Sequence, residues 1–120
     1  MYEYRATVLD IVDGDTLKLR VDLGFSTFTE RTLRLARINC PEMNVEEGKV
    51  AKTAVALAVF TGKDTPRVTV RTTKLKRSDR EKVGRYGRYI VDVLYINNEG
   101  KEVNLNDELV NMGMAIYTNY

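Results

Sequence analysis

The fold of this chain is decided by residues 5–22, which read RATVLDIVDGDTLKLRVD. Two runs rich in β-branched residues, Arg5–Val12 and Asp15–Asp22, flank the pair Asp13-Gly14. An Asp-Gly pair between two such runs is a strong signal for a tight turn between antiparallel strands. Apolar and charged residues alternate in the second run, as in a strand with one face in a core. The sequence therefore predicts a β-hairpin. The residues predicted to face inward are Leu17, Leu19 and Val21.

Three further strands and two helices are predicted beyond this hairpin. Residues 25–30 are expected to form a polar loop or a ragged hairpin. The strands are expected at Thr32–Ile38, Val68–Thr73 and Arg88–Ile96, the first of them stopped by Pro41. The helices are expected at Glu46–Phe60, with Val50, Ala54, Leu57 and Ala58 at helical spacing, and at Val103–Met112, with Leu105, Leu109 and Met112 on one face. Five strands with a helix between the third and fourth predict an α+β, mainly β fold, a five-stranded Greek-key OB-fold barrel with two helices.

Composition limits the chemistry that the chain can perform. The 120 residues are 43% hydrophobic and 30% charged, and no linker or repeat divides them, which predicts one globular domain over residues 1–120. The absence of histidine excludes Ser-His and Cys-His catalysis, and the lone Cys40 excludes a disulfide framework and a cysteine-rich zinc site. No leader and no long apolar run is present, so we expect a cytoplasmic protein with no membrane segment.

One segment of the chain is markedly basic. Between Lys74 and Arg88 there are seven lysines and arginines but only two acidic residues, whereas the formal net charge of the whole chain is +2. Such an excess favours polyanionic partners, and it is equally typical of a solvated loop. The segment Gly84-Arg85-Tyr86-Gly87-Arg88 adds an aromatic ring between arginines, which suits contact with phosphates and bases.

Three residues are candidates for phosphodiester chemistry on their positions alone. Asp15 is predicted to begin a strand. Its carboxylate either only caps the turn or serves as an oxygen ligand of a hard divalent cation. Arg34 falls on an apolar strand face, which is costly unless the guanidinium meets an anion. Glu42, held just beyond Pro41, could act on a water molecule. Arg37 falls on the opposite face from Arg34 and is interpreted as an ordinary solvent-facing charge.

Taken together, four motifs resemble the staphylococcal (micrococcal) nuclease family, or thermonuclease domain. In order along the chain, they are Asp13-Gly14-Asp15-Thr16, Arg34-Leu35 through Asn39-Cys40-Pro41-Glu42, Tyr86-Gly87-Arg88, and Val103-Asn104 with Leu109-Val110 through Gly113-Met114-Ala115. The resemblance implies an OB barrel and calcium-dependent hydrolysis of DNA and RNA. The residues that it implies for the site are Arg34 and Arg88 on the phosphate, Glu42 on the attacking water, Asp15, Asn39 and the Cys40 carbonyl on Ca²⁺, and Arg85, Tyr86 and Tyr117 on the nucleotide.

The chain departs from the family pattern in three respects, one of which is a shorter segment between Glu42 and the first helix. The family usually has an aspartate where this chain has Asn39, and loss of that charge should weaken metal binding. The chain is also expected to lack the family's third, C-terminal helix, which leaves Tyr117 either to stack on a nucleotide or to cover the core. The leading hypothesis is a nuclease of low sequence specificity, dependent on Ca²⁺ or another divalent metal, that prefers single strands of DNA or RNA. The alternative is an OB-fold module that binds single-stranded nucleic acid or a protein without cleavage.

Overall fold

The computed structural model describes residues 2–60, 66–72 and 89–118 and has a closed five-stranded barrel at its centre. In chain order, the elements are β1 (Tyr2–Asp13), β2 (Thr16–Gly24), β3 (Thr27–Leu35), β4 (Ile38–Asn39), α1 (Glu46–Phe60), β5 (Arg67–Thr72), β6 (Tyr89–Ile96), β7 (Glu102–Asn104), α2 (Leu105–Asn111) and β8 (Ile116–Tyr117). The barrel order is β3–β2–β1–β5–β6, and parallel pairing of β6 with β3 closes it. The predicted α+β class, with a five-stranded OB-like barrel and two helices, is confirmed. Neither described helix has the length and apolarity needed to span a membrane.

The N-terminal hairpin forms as its alternation predicts, but its two turn residues are Gly14 and Asp15 rather than Asp13 and Gly14. Asp15 therefore lies in the turn, and β2 begins at Thr16 rather than at Asp15. Leu17, Leu19 and Val21 are buried in the barrel core, whereas Lys18 and Arg20 are exposed. Valine and leucine from the other barrel strands complete this core, which α1 and α2 extend through Val55, Val59, Leu105 and Leu109. Burial of these side chains is the main favourable term for the fold, at roughly 1.5–3 kcal/mol for each large one.

The third strand differs from its prediction at both ends. It begins at Thr27, because Phe25 and Ser26 form a tight turn with φ angles of 54° and 59°. Of the two alternatives for residues 25–30, the hairpin therefore forms and the polar loop does not. It ends at Leu35, because Arg37 has a φ of 67°, a left-handed conformation that interrupts a strand. Ile38 therefore belongs to the separate strand β4, which pairs with β8.

Both helices form, but their buried faces differ from the predicted ones. Helix α1 has the predicted bounds, yet it buries Gly48, Ala51, Val55 and Val59, while Leu57 is 66% exposed. Apolar residues surround most of this helix, so periodicity did not specify which face packs. Helix α2 begins two residues later than predicted. The Asn104 side chain caps it by accepting a hydrogen bond from the Asp107 N–H, and the preceding residues pair with β6 as β7.

A buried amide joins α2 to the closing seam of the barrel. Asn106 is fully buried, and its Nδ2 donates to the carbonyl oxygens of Ala36 at 2.9 Å and Val91 at 3.0 Å. Its Oδ1 accepts from the Val93 N–H at 3.2 Å. One side chain therefore satisfies backbone groups of both β6 and the bend that follows β3. These bonds hold the end of β3 in place.

The junction between β4 and α1 depends on a glycine. A Cβ on Gly48 would overlap the carbonyl oxygen of Glu42 and lie 2.8 Å from that of Pro41. The Val45 N–H donates to the same Glu42 carbonyl at 3.2 Å. The backbone of the Pro41-Glu42 loop is therefore packed directly against the first turn of α1.

We expect Asn106→Ala to lower the free energy of unfolding by about 3 kcal/mol, because it leaves buried backbone groups without their partners. The measurement is equilibrium unfolding in urea. Asn111→Ala, an exposed position in the same helix, is the matched control and should change stability little. Equal effects of the two substitutions would contradict the role assigned to Asn106.

We expect Gly48→Ala to destabilise the protein by about 1–3 kcal/mol, since the Pro41-Glu42 backbone must move to admit a methyl group. In an unobstructed helix the same change would stabilise by roughly 1 kcal/mol. The sign of the change in the free energy of unfolding, measured in urea, therefore shows whether the loop obstructs the added methyl group. The exposed Lys49→Ala is the control. A stabilised Gly48→Ala protein would show that the loop is not packed as described.

Candidate active site

The candidate site lies at the end of the barrel where the β1–β2 turn meets β4 and α1. Gly14, in that turn, is buried, and a Cβ there would lie 2.9 Å from both Cys40 Sγ and Ala51 Cβ. Only a glycine lets the turn approach β4 and α1 this closely. The adjacent Asp13 accepts a hydrogen bond from the Asp15 N–H at 3.1 Å and fixes the turn.

Asp15 is a buried carboxylate with several partners. It is 8% exposed, its Oδ2 accepts from the Cys40 N–H at 2.9 Å, and its Oδ1 accepts from Thr16 Oγ1 at 3.3 Å. Burial raises the pKa of the Asp15 carboxyl, and the neighbouring Asp13 raises it further, against the opposing effects of the Cys40 N–H and Arg34. Two carboxylates at one buried turn favour a cation nearby.

Arg34 connects the parts of this site. Its guanidinium is almost entirely buried; Nη1 donates to the carbonyl oxygens of Leu35 at 2.8 Å and Ile38 at 3.1 Å. Nη2 donates to Asn39 Oδ1 at 3.1 Å and lies 3.4 Å from Asp15 Oδ2. The anion that an arginine at this buried position requires is therefore Asp15. Arg34 also fixes the backbone bend between β3 and β4.

Strand β4 and the residue after it carry the remaining predicted ligand positions. Asn39 is exposed, pairs with Ile116 of β8, and has its side-chain oxygen directed to Arg34. Cys40 is buried, and its thiol packs against Gly14. Burial raises the pKa of the Cys40 thiol to about 12, so the sulfur stays protonated and is a poor metal ligand. The carbonyl oxygen of Cys40 is the atom that the family resemblance assigns to the metal.

Glu42 lies on the exposed loop between β4 and α1. Its side chain forms no hydrogen bond or ion pair with the residues that the structure describes, and its backbone is held against Gly48. The structure thus gives Glu42 a fixed backbone and a solvent-facing carboxylate, two residues beyond the Cys40 carbonyl.

The interpretation of Arg37 as an ordinary solvent-facing charge is wrong. Its guanidinium donates to Asp92 Oδ1 at 2.7 Å and to Asp107 Oδ1 at 2.8 Å, linking β6 to α2. The hydrogen bond from Arg37 lowers the pKa of the Asp107 carboxyl.

Tyr117 is 55% exposed, and its hydroxyl donates to Asp107 at 3.1 Å, so this ring does not cover the core. The Thr118 N–H donates to the Arg37 carbonyl at 2.8 Å, which holds β8 against β4.

Not every predicted site residue can be placed. Arg85, Tyr86 and Arg88 lie outside the described residues. The structure brings together Asp15, Arg34, Asn39 and Cys40. Sequence reasoning left Asp13 as a turn cap, although its carboxylate also adjoins Asp15. The signal that was available is the Asp-Gly-Asp spacing, which places two carboxylates on one tight turn.

The donor atoms at this turn suit a hard divalent cation in kind but carry little negative charge. Carboxylate, amide and carbonyl oxygens are the ligands that Ca²⁺ prefers. Within residues 2–60, 66–72 and 89–118, however, no cluster of three or more acidic or thiol side chains could hold a metal. The site offers the Asp13 and Asp15 carboxylates, with a neutral amide at Asn39.

Comparison with known proteins identifies the family. No curated protein matches this chain. The sequence profile described as staphylococcal nuclease homologue matches residues 32–120, which include Arg34, Asn39, Cys40 and Glu42. The hairpin before residue 32 lies outside the match but forms the barrel with the matched strands. Because the match covers well over half of the chain, the protein belongs to the staphylococcal nuclease homologue family, a family of nuclease and nucleic-acid-binding domains.

Proposed function

We propose that this protein is a divalent-metal-dependent nuclease that hydrolyses phosphodiester bonds in DNA or RNA with little sequence specificity. The observation that carries the proposal is the cluster of Asp15, Arg34 and Asn39 at one end of the barrel, joined by an ion pair and a hydrogen bond, in a chain that belongs to a nuclease family. Ca²⁺ is the first candidate metal, because every donor atom is oxygen.

The proposed ligands are the Asp15 carboxylate, the Asn39 amide oxygen and the Cys40 carbonyl, with Asp13 adding negative charge beside them. A bound divalent cation supplies positive charge that stabilises the phosphate as it becomes more negative in the transition state. Arg34 holds Asp15 and Asn39 at fixed positions, so little reorganisation is needed during the reaction.

Glu42 is the proposed general base. Its carboxylate faces solvent, and the packing of its backbone against Gly48 fixes the segment that carries it. In this role, one Glu42 oxygen accepts a proton from the attacking water, and the water oxygen forms the new bond to phosphorus. The opposite P–O bond breaks with its electron pair on the departing sugar oxygen, which takes up a proton from solvent.

Arg34 and Arg88 are the proposed phosphate ligands, and Arg85, Tyr86 and Tyr117 the proposed nucleotide ligands. Both terminal nitrogens of Arg34 already donate within the protein. Nη1 donates both of its hydrogens to backbone carbonyls, so we expect a phosphate oxygen to be bound through Nη2, at the exposed edge beside Asn39. Backbone and stacking contacts imply low sequence specificity and a preference for single strands, whose bases are open to stacking.

A second candidate function is binding of single-stranded nucleic acid without cleavage. The observation that favours it is the neutral Asn39, which leaves the site with only two neighbouring carboxylates among the residues described there.

One experiment distinguishes the two functions. Purified protein is incubated with single- and double-stranded DNA and with RNA, in Ca²⁺, Mg²⁺, Mn²⁺ or a chelator. Cleavage in any metal supports the nuclease, whereas binding without cleavage in all of them supports the binding module.

We expect Glu42→Gln to lower the cleavage rate by about 10²–10⁴-fold, because the amide cannot accept the proton from water. Binding of the oligonucleotide should persist, since the change is exposed and keeps the side-chain size. The rate is measured in saturating metal, with Glu99→Gln, an exposed glutamate in the β6–β7 turn, as the matched control. A Glu42→Gln protein that cleaves at the wild-type rate would rule out this base.

We expect Asn39→Asp to lower the metal concentration needed for half-maximal activity by roughly tenfold, because Ca²⁺ affinity rises with the number of charged ligands. The same shift should appear in direct Ca²⁺ titration by calorimetry, which does not depend on activity. Asn98→Asp, in an exposed turn, adds the same charge elsewhere and should leave metal affinity near the wild-type value. Equal metal affinity in Asn39→Asp and wild type would contradict the assignment of this side chain as a ligand.

A further inference from the structure

A second basic surface lies on the outer face of the barrel, away from the candidate active site. It is a groove of about 630 Å³, formed where the beginnings of β1 and β5 meet the ends of β2 and β6. Three arginines line it, Arg5, Arg20 and Arg67, together with the aromatic ring of Phe28. All four residues are exposed.

Strand register explains why these side chains converge. Thr7 of β1 pairs with Arg20 on one side and Arg67 on the other, so the two arginines flank the same strand on one face. Arg5 lies two residues before Thr7 and faces the same side. The Arg20 guanidinium lies 4.5 Å from the centre of the Phe28 ring, a cation–π contact that orients it over the groove.

The three arginines of this groove are available to bind an anion. Within the described part of the chain, none of the three arginines forms an ion pair with a carboxylate. Asp22 and Glu102 also line the groove, so its formal charge is +1. The Asp22 carboxylate accepts from the Gly24 N–H at 2.8 Å and so caps the β2–β3 turn. Guanidinium groups that form no ion pair with the described residues, beside an exposed ring, match a phosphate backbone with adjoining bases.

The groove and the candidate active site are separate binding surfaces. Asp13 lies eight residues after Arg5 along β1, a span of at most about 26 Å at roughly 3.3 Å per residue. That distance corresponds to about eight base-pair rises of a duplex. A strand longer than this span can therefore contact both surfaces.

We propose that this groove is a second nucleic-acid-binding surface, which takes the sugar–phosphate backbone of the substrate strand outside the active site. The proposal rests on the proposed function for the identity of the polyanion. It assigns Arg5, Arg20 and Arg67 to phosphates and the outer face of Phe28 to a base. Such contacts strengthen the binding of long polymers without adding sequence preference.

The test measures binding of the full chain to a fluorescent single-stranded DNA of about 20 nucleotides, in chelator, as a function of salt. Each of Arg20→Gln and Arg67→Gln should reduce the slope of log affinity against log salt by about 0.7, the value for each phosphate that a protein neutralises on a single strand. The charge-matched control is Lys52→Gln on α1, outside the groove, which should keep the wild-type slope. Circular dichroism verifies that the exposed substitutions leave the fold intact.

The results separate this proposal from the proposed function. Wild-type salt slopes in both arginine variants would overturn the proposal that the groove binds nucleic acid, whether or not the protein cleaves DNA. Reduced slopes in a protein that cleaves nothing in any metal would support the groove and overturn the nuclease. A polyglutamate peptide that competes for the labelled DNA as strongly as unlabelled DNA does, and loses affinity equally in the variants, would identify the groove as a site for acidic proteins and overturn the proposal.

Discussion

The buried Arg34 guanidinium is the interaction on which the rest of the site depends. A charge removed from water is stable only if its donors are satisfied and an opposite charge lies nearby. Arg34 meets these conditions through the Leu35 and Ile38 carbonyls, the Asn39 amide and the Asp15 carboxylate. Each of these partners is thereby fixed with respect to the others. The geometry of the candidate metal ligands is thus a consequence of how one buried cation is compensated.

The position of Arg34 in turn requires the barrel to close correctly. Arg34 lies at the parallel β3–β6 seam, opposite Ile90, and the backbone bends immediately after β3 ends. The buried Asn106 amide bonds backbone groups on both sides of that seam, and the Arg37 guanidinium ties the bend to β6 and α2. The left-handed φ of Arg37 costs energy that these contacts offset. Two polar side chains distant in sequence from their partners therefore set the shape of the site.

Local signals in the sequence predicted the parts of the fold that local physics controls. The tight turn of the first hairpin, the alternation in β2 and the extent of α1 follow from backbone preferences and periodicity. All three are present, with the turn one residue later than predicted, at Gly14 and Asp15. The buried face of α1 and the pairing of Arg37 were not predictable in this way, because contacts with residues far along the chain determine them. The arginine at position 34 required an anion, and the sequence could not specify that Asp15 would supply it. The motif order, in contrast, indicated the family without knowledge of any contact.

The neutral side chain of Asn39 is consistent with the balance between the Asp13 and Asp15 carboxylates and the Arg34 guanidinium. Asp13 and Asp15 already adjoin one another at a buried turn, and the pKa of Asp15 is raised. A third carboxylate at position 39 would add repulsion that only Arg34, among the residues described at this turn, opposes. Replacing that carboxylate by an amide removes the repulsion and preserves the hydrogen bond to Arg34, while it reduces the attraction for a divalent cation. In the proposed metal site, an amide at position 39 would therefore favour folding without metal and weaken binding of metal, so this position would couple the stability of the site to its metal affinity.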